Sequence, residues 1–156
     1  MLSEKKEHKC YFHFLNKTFC RPLFVVLVLL ITFIALSPCL KNEFTNWDDD
    51  RYLTKNEEIK VFNLTAVKNL FLIKKGTYHY HPLTMLSFMA EHHFFGLNPR
   101  IYHLNNLILH LLNTALVLWF VFQLTNKFDV SVITALLFGI HPMHVESVAW
   151  ITERKD

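Results

Sequence analysis

The feature that most limits how this chain folds is an apolar run, LFVVLVLLITFIALSPCL, from Leu23 to Leu40. It carries no charged side chain. A helix needs roughly 20 apolar residues, at ~1.5 Å rise each, to cross the hydrocarbon core of a bilayer. The run is therefore predicted to be a membrane-spanning helix over residues 22–40. A secretory signal peptide has a similar outline. Two features favour an uncleaved anchor: the long basic leader, with Lys5, Lys6, Lys9, Lys17 and Arg21, and Pro38 directly after the small-residue site Ala35-Leu36-Ser37. Positive charge holds a leader on the cytoplasmic side. Residues 1–21 then stay cytoplasmic, and the chain emerges outside from Asn46.

The remaining sequence continues the same theme. Of 156 residues, 52% are hydrophobic and only three are glycine, which excludes a disordered chain. The net charge is +3 and the basic residues are scattered, so no nucleic-acid footprint is present. Cys10, Cys20 and Cys39 define no disulfide framework. Residues 41–100 are mixed in character and read as an extracytoplasmic loop. Thr54 and Glu57 have the spacing of a capping box, and Leu64, Val67, Leu70 and Phe71 have helical spacing. Leu83–Phe95 is apolar but too short to span, so it is predicted to be an interfacial helix opened by Pro82 and closed at Gly96. Were it to cross, the topology downstream would invert. A second spanning helix is predicted over 101–124, a cytoplasmic turn over 125–129, and a third spanning helix over 130–151, kinked near Pro142. Residues 152–156 begin a further extracytoplasmic segment, which is expected to continue in a longer protein. The fold class is thus an all-α polytopic membrane protein with three transmembrane helices and interfacial helices in the first loop. Segment one exits, segment two returns and segment three exits, which puts NWDDD and the far end of segment three on one membrane face.

Three constellations carry chemistry. The first is FTNWDDDRY. Asp48 lies eight residues past Leu40, so even extended chain carries it only ~28 Å. Phe44 and Trp47 suit the interfacial belt. Carboxylates at headgroup level act as a general base on a hydroxyl or amide, or hold a divalent cation against a phosphate. A solvated charge run flanking an anchor has the same composition. An EF-hand loop is excluded by the missing ligand alternation and central glycine. The second is a polar stripe, His103, Asn106, His110 and Asn113, on one face of segment two. Such groups face a bundle interior or a wet cavity, or join helices by hydrogen bonds. The third is GIHPMHVESVAWITERKD. His141, His144 and Glu146 sit beside a helix break, and Arg154 and Lys155 follow as cations for an anionic headgroup. His141 and His144 lack the further ligands that zinc needs, so no metal site is assigned. The His79–His81 and Glu91–His93 clusters read as surface or interfacial residues. Asn63-Leu64-Thr65 is a glycosylation sequon in the loop; Asn16-Lys17-Thr18 also matches, on the cytoplasmic side.

The strings NWDDDRYLTKNEEI, YHPLTMLSF, FFGLNPRIYHLNNLILHLLN and LLFGIHPMHVESVAWITERKD resemble the amino-terminal membrane region of the transmembrane and tetratricopeptide-repeat protein family. The resemblance covers about residues 44–156. Some members of that family are protein O-mannosyltransferases that use dolichyl-phosphate mannose. The resemblance implies a GT-C-like amino-terminal part, with catalytic acids in the first extracytoplasmic loop. Related enzymes have an acidic pair followed three residues later by tyrosine, which here matches Asp48, Asp49 and Tyr52. It implies catalytic roles for Asp48 and Asp49; the family pattern also contains His141, His144 and Glu146 without a role assigned to them, and with Tyr52, Arg154 and Lys155 they are the candidate substrate- or donor-binding residues. The donor is a polyprenyl- or dolichyl-phosphate sugar, the acceptor a protein, and no tightly bound cofactor is expected; the need for a divalent metal is open. The setting is a multi-pass protein of the endoplasmic reticulum or a bacterial plasma membrane. The competing expectation is a non-catalytic, membrane-anchored repeat scaffold.

Overall fold

A computed structural model describes residues 20–72 and 80–155. Most of the basic leader, the sequon at Asn16, Cys10 and His79 lie outside the described residues. Every regular element among the described residues is helical. They are α1 (Cys20–Leu36), a 3₁₀ extension (Ser37–Lys41), a π-helical turn (Asp50–Thr54), a 3₁₀ turn (Glu57–Lys60), α2 (Leu64–Leu70), α3 (Pro82–Phe95), α4 (Pro99–Thr125), α5 (Phe128–Ile140), a 3₁₀ turn (Pro142–His144), α6 (Val145–Ala149) and a final 3₁₀ turn (Ile151–Lys155). The chain forms two compact units.

The first unit comprises the chain up to Ser37 together with Ile108–His144. It joins α1, most of α4, and α5. Phe24 meets Phe128 and Thr32 meets Gly139, so α1 and α5 run parallel. His110 bonds Gly139 and Phe122 meets Phe128, so α4 and α5 run antiparallel. Asn126, at φ 54°, makes the tight turn between them by adopting the left-handed conformation that asparagine tolerates. Val28, Leu118, Phe128 and Ala135 form the core. Where α5 meets Thr32 of α1, only glycine fits. A Cβ on Gly139 would lie 2.3 Å from the Thr32 hydroxyl oxygen. The outward residues are Leu23, Val26, Leu30, Leu116, Trp119, Phe120, Ile133 and Leu137, all exposed. A helix surface this apolar has lipid as its solvent, with small residues where helices touch.

Two stretches, Arg21–Lys41 and Pro99–Thr125, are long and apolar enough to cross a membrane. A third exists if α5 and the helical stretch Pro142–Ala149 make one broken span, which bends by 50°. The expected kinked helix over 130–151 is therefore two helices. Pro142 has no N–H to donate, and it holds His141 in an extended conformation at ψ 132°.

The second unit comprises Pro38–Leu107 with Val145–Asp156. The stretch expected to be a mixed extracytoplasmic loop shares a core with Ile151, formed by Leu53, Ile59, Phe88, Met89, Tyr102 and Ile151. The expected capping box at Thr54 does not form. Asn56 caps instead, accepting from the Glu58 amide, and Asn63 caps α2 by accepting from Ala66. In α2, Ala66, Val67 and Leu70 pack inward, whereas Leu64 and Phe71 are exposed. α3 occupies the predicted stretch and ends at Gly96, with φ 62°. One face buries Phe88 and Met89; Leu83, Phe94 and Phe95 point outward.

Candidate functional site

Asp48, Asp49 and Asp50 enter a π-helical turn in the second unit, and three neighbouring carboxylates acquire three different surroundings. Successive side chains on a helical turn diverge by ~100°. Asp49 is fully buried. Its Oδ2 accepts from the Thr45 amide at 3.0 Å and the Thr45 hydroxyl at 3.2 Å, and its Oδ1 accepts from the Thr152 amide at 3.2 Å. Asp50 faces outward, accepting from Lys55 at 2.5 Å and Thr54 at 2.8 Å. Lys55 holds the Asp50 carboxyl below the usual aspartate range, with Thr54 helping. Asp48 is half-buried and makes no ion pair or hydrogen bond among the described residues. Trp47 stacks edge-on against Trp150 at 5.6 Å, beside the acidic turn.

Tyr52, three residues beyond Asp49, borders a cavity of about 300 Å³. Arg51, Asn56, Asn69, Tyr80 and His81 share its wall. Tyr80 donates its hydroxyl to the Phe71 carbonyl.

Arg154, expected as a cation for a headgroup, makes its contacts within the second unit. Its side chain is only 5% exposed and is spent inside the protein. Nε donates to Asn106 at 2.7 Å, one terminal nitrogen to Ser87 at 2.8 Å and Glu91 at 2.5 Å, and the other to the Tyr102 carbonyl at 3.0 Å. Four donated bonds leave the five-donor guanidinium almost nothing for a phosphate. Lys155 pairs with Glu153 at 2.9 Å.

Glu91 is the residue that the sequence reading misplaced. It was expected at a surface or interface; it is buried on α3, bonded to Arg154 and to the Asn105 amide at 2.6 Å. Burial pushes its carboxyl above the usual glutamate range, against the pull of Arg154 and Asn105. The available signal was a lone carboxylate inside the apolar string LSFMAEHHFF, since a buried charge demands a partner. His92 and His93 follow on diverging faces, and His93 lies over Phe62 at 5.1 Å.

His103 and Asn106 of the polar stripe are buried in the second unit, and His110 in the first. Asn113 is not buried with them, although it lies only ~20° round the helix from Asn106. Thr114 is buried and Asn113 is exposed. His141 and His144 belong to the first unit, where His144 packs on Phe138 at 4.3 Å and His141 Nδ1 accepts from the Met143 amide. Glu146 is exposed on α6. Among the described residues, no group of three or more His, Cys, Asp or Glu side chains is placed to hold a metal ion.

Helices of spanning length and a buried, hydrogen-bonded carboxylate turn define a helical membrane protein with an acidic loop. Comparison with known proteins then supplies the relatives, which are protein O-mannosyl-transferases of the TMTC group. The chain is 43% identical over 79 residues to mouse protein O-mannosyl-transferase TMTC1, a match covering 49% of this chain and 8% of that protein. It is 40% identical over 119 residues to Xenopus laevis protein O-mannosyl-transferase tmtc2, covering 70% of this chain and 14% of that protein. Human TMTC3 is 38% identical over 77 residues, covering 49% of this chain and 8% of that protein. The chain thus spans only a small part of the length of the curated relatives it matches. No family model matches, and no solved structure matches.

Proposed function

We propose that this chain is part of a membrane glycosyltransferase that moves a sugar from a polyprenyl-phosphate carrier, in the dolichyl-phosphate mannose class, to a protein hydroxyl on the extracytoplasmic face. The observation that carries the reading is the unequal treatment of Asp48 and Asp49, a half-buried carboxylate without a partner beside one fixed by two backbone amides. A general base needs that first environment. In this scheme Asp48 takes the proton of the acceptor hydroxyl, the hydroxyl oxygen bonds to the anomeric carbon, and the carbon–oxygen bond to the lipid phosphate breaks. The phosphate leaves with the bonding pair. Asp49 fixes the turn and adds its charge to the site. Tyr52 and the cavity it borders are suited to an acceptor segment, with amide and phenol groups to meet a polypeptide backbone. Lys155 is the candidate cation for the lipid phosphate, with Glu146 as a further donor contact in the second unit. The GT-C architecture and an endoplasmic reticulum or bacterial plasma membrane setting belong to the same proposal.

The test is transfer from dolichyl-phosphate mannose to an acceptor polypeptide by the full-length protein. Asp48→Asn is expected to lower turnover by about 100-fold or more, in the range of lost general-base catalysis. Asp49→Asn is also expected to lower it. Wild-type turnover in both variants would remove the acidic turn from the reaction and favour the repeat-scaffold reading, in which partner binding survives neutral substitution.

A further inference from the structure

The Ile151–Thr152 peptide unit is held at both ends. Its N–H donates to Asp49 at 3.2 Å, and its carbonyl accepts from the Asn106 side-chain amide at 3.3 Å. The same amide also reaches the Trp150 carbonyl at 3.1 Å and the Ser147 carbonyl at 3.4 Å. An asparagine amide serves this purpose in only one of its two orientations, with NH₂ toward the carbonyls and oxygen away. That orientation is fixed by Arg154, whose Nε donates to Asn106 Oδ1. The fork of Arg154 is in turn fixed by Glu91 and Ser87 on α3 and by the Tyr102 carbonyl on α4. The links run without a gap from Glu91 to Arg154, to Asn106, to the 151–152 peptide and to the Asp49 carboxylate. All five lie in the second unit.

We propose that Glu91, Arg154 and Asn106 are positioning residues that hold the Ile151–Thr152 peptide on Asp49, and so fix the turn that presents Asp48. The proposal rests on the reading of the acidic turn as part of the transfer site. It explains why an arginine sits buried beside an apolar core when any aliphatic side chain would fill the space. A buried ion pair adds little net stability over apolar residues of similar volume, but it specifies geometry. Hydrogen bonds to charged groups in a dry surrounding are directional and strong. Asn106 contributes what no aliphatic residue can, a donor face and an acceptor face at opposite ends of one rigid plane.

The experiment uses the full-length protein in bilayer discs and reads hydrogen exchange at the Thr152 amide beside mannose transfer from dolichyl-phosphate mannose. Asn106→Asp keeps the shape and removes the donor face. It is expected to speed exchange at Thr152 by about tenfold or more, as loss of a hydrogen bond to a charged group predicts. Turnover should fall by about 10- to 100-fold with the acceptor KM little changed, as misplacement of a reacting group predicts. Because breaking the ion pair risks unfolding, Glu91→Leu combined with Arg154→Met serves as the folding-competent variant. It should retain the wild-type melting profile and still release the Thr152 amide. In an Asp49→Asn background, adding Asn106→Asp should lower turnover no further, since the relay acts through Asp49. Undisturbed exchange at Thr152 in both relay variants, or an additive fall in turnover on the Asp49→Asn background, overturns the proposal. Full turnover in both Asp48→Asn and Asp49→Asn, with Thr152 still released by Asn106→Asp, would instead sink the transfer reading of the turn and leave the mechanical relay standing.

Discussion

At the scale of single residues, the three aspartates show how adjacent identical side chains diverge once a turn distributes them. Asp50 is the ion-paired member, and its lowered range belongs to Lys55 and Thr54. A carboxylate whose folded-state value lies below the unfolded one contributes stability above the ordinary aspartate range, near pH 4. That contribution is lost as pH falls through the lowered folded value. The difference in melting temperature between wild type and Asp50→Asn should therefore be present at neutral pH and vanish in acid. A difference that grows in acid would contradict the pairing. Gly139 gives a second residue-scale expectation. Its Cβ would collide with Thr32, which is fully buried and has no room to yield. Gly139→Ala should cost about 1–3 kcal/mol in an unfolding titration, the range for overpacking. Adding Thr32→Ala, which removes the colliding atom, should restore much of it.

Among the helices, length and ends followed from sequence more faithfully than orientation did. α3 was visible because Pro82 and Gly96 bracket it and its apolar residues stop at 95. Its inward face was not visible, because Leu83, Phe94 and Phe95 are as apolar as Phe88 and Met89. Which apolar residue packs inward is a choice made by the neighbouring elements. The proposal that α3 lies in the membrane interface predicts that Phe94→Trp fluorescence is quenched by brominated lipids only when bromine sits shallow in the acyl chain. Deep quenching would mean insertion, and no quenching would detach α3 from the bilayer. Glu91 remained obscure for a related reason. Its partner lies 63 residues away, and no local pattern links α3 to a terminal 3₁₀ turn.

For the whole molecule, each unit has a core of its own. The first turns leucine, isoleucine, tryptophan and phenylalanine outward, and lipid is the medium in which that surface is stable. The second buries an aromatic and aliphatic core of its own and turns Leu83, Phe94 and Phe95 of α3 outward. The parallel course of α1 and α5 brings their C-terminal ends to one side. Single cysteines placed at Asn46 and Glu146, in the full-length protein, should both react with an impermeant thiol reagent from the extracytoplasmic side. Labelling from opposite compartments would break the topology on which the transfer reading stands.

Hydrophobicity is a property of composition along the chain, and so the spanning segments, the helix break at Pro142 and the acidic loop could all be read before any fold was known. A resemblance carried by short strings was likewise legible, and the TMTC relatives agree with it. Contacts between distant residues are another matter. Whether a charge meets solvent, a phosphate or a buried glutamate depends on which elements pack around it, and packing is a collective outcome that no local pattern encodes. Tertiary structure alone therefore gave Arg154 its buried partners, buried Thr114 while leaving Asn113 exposed, and separated one partnerless aspartate from its two neighbours.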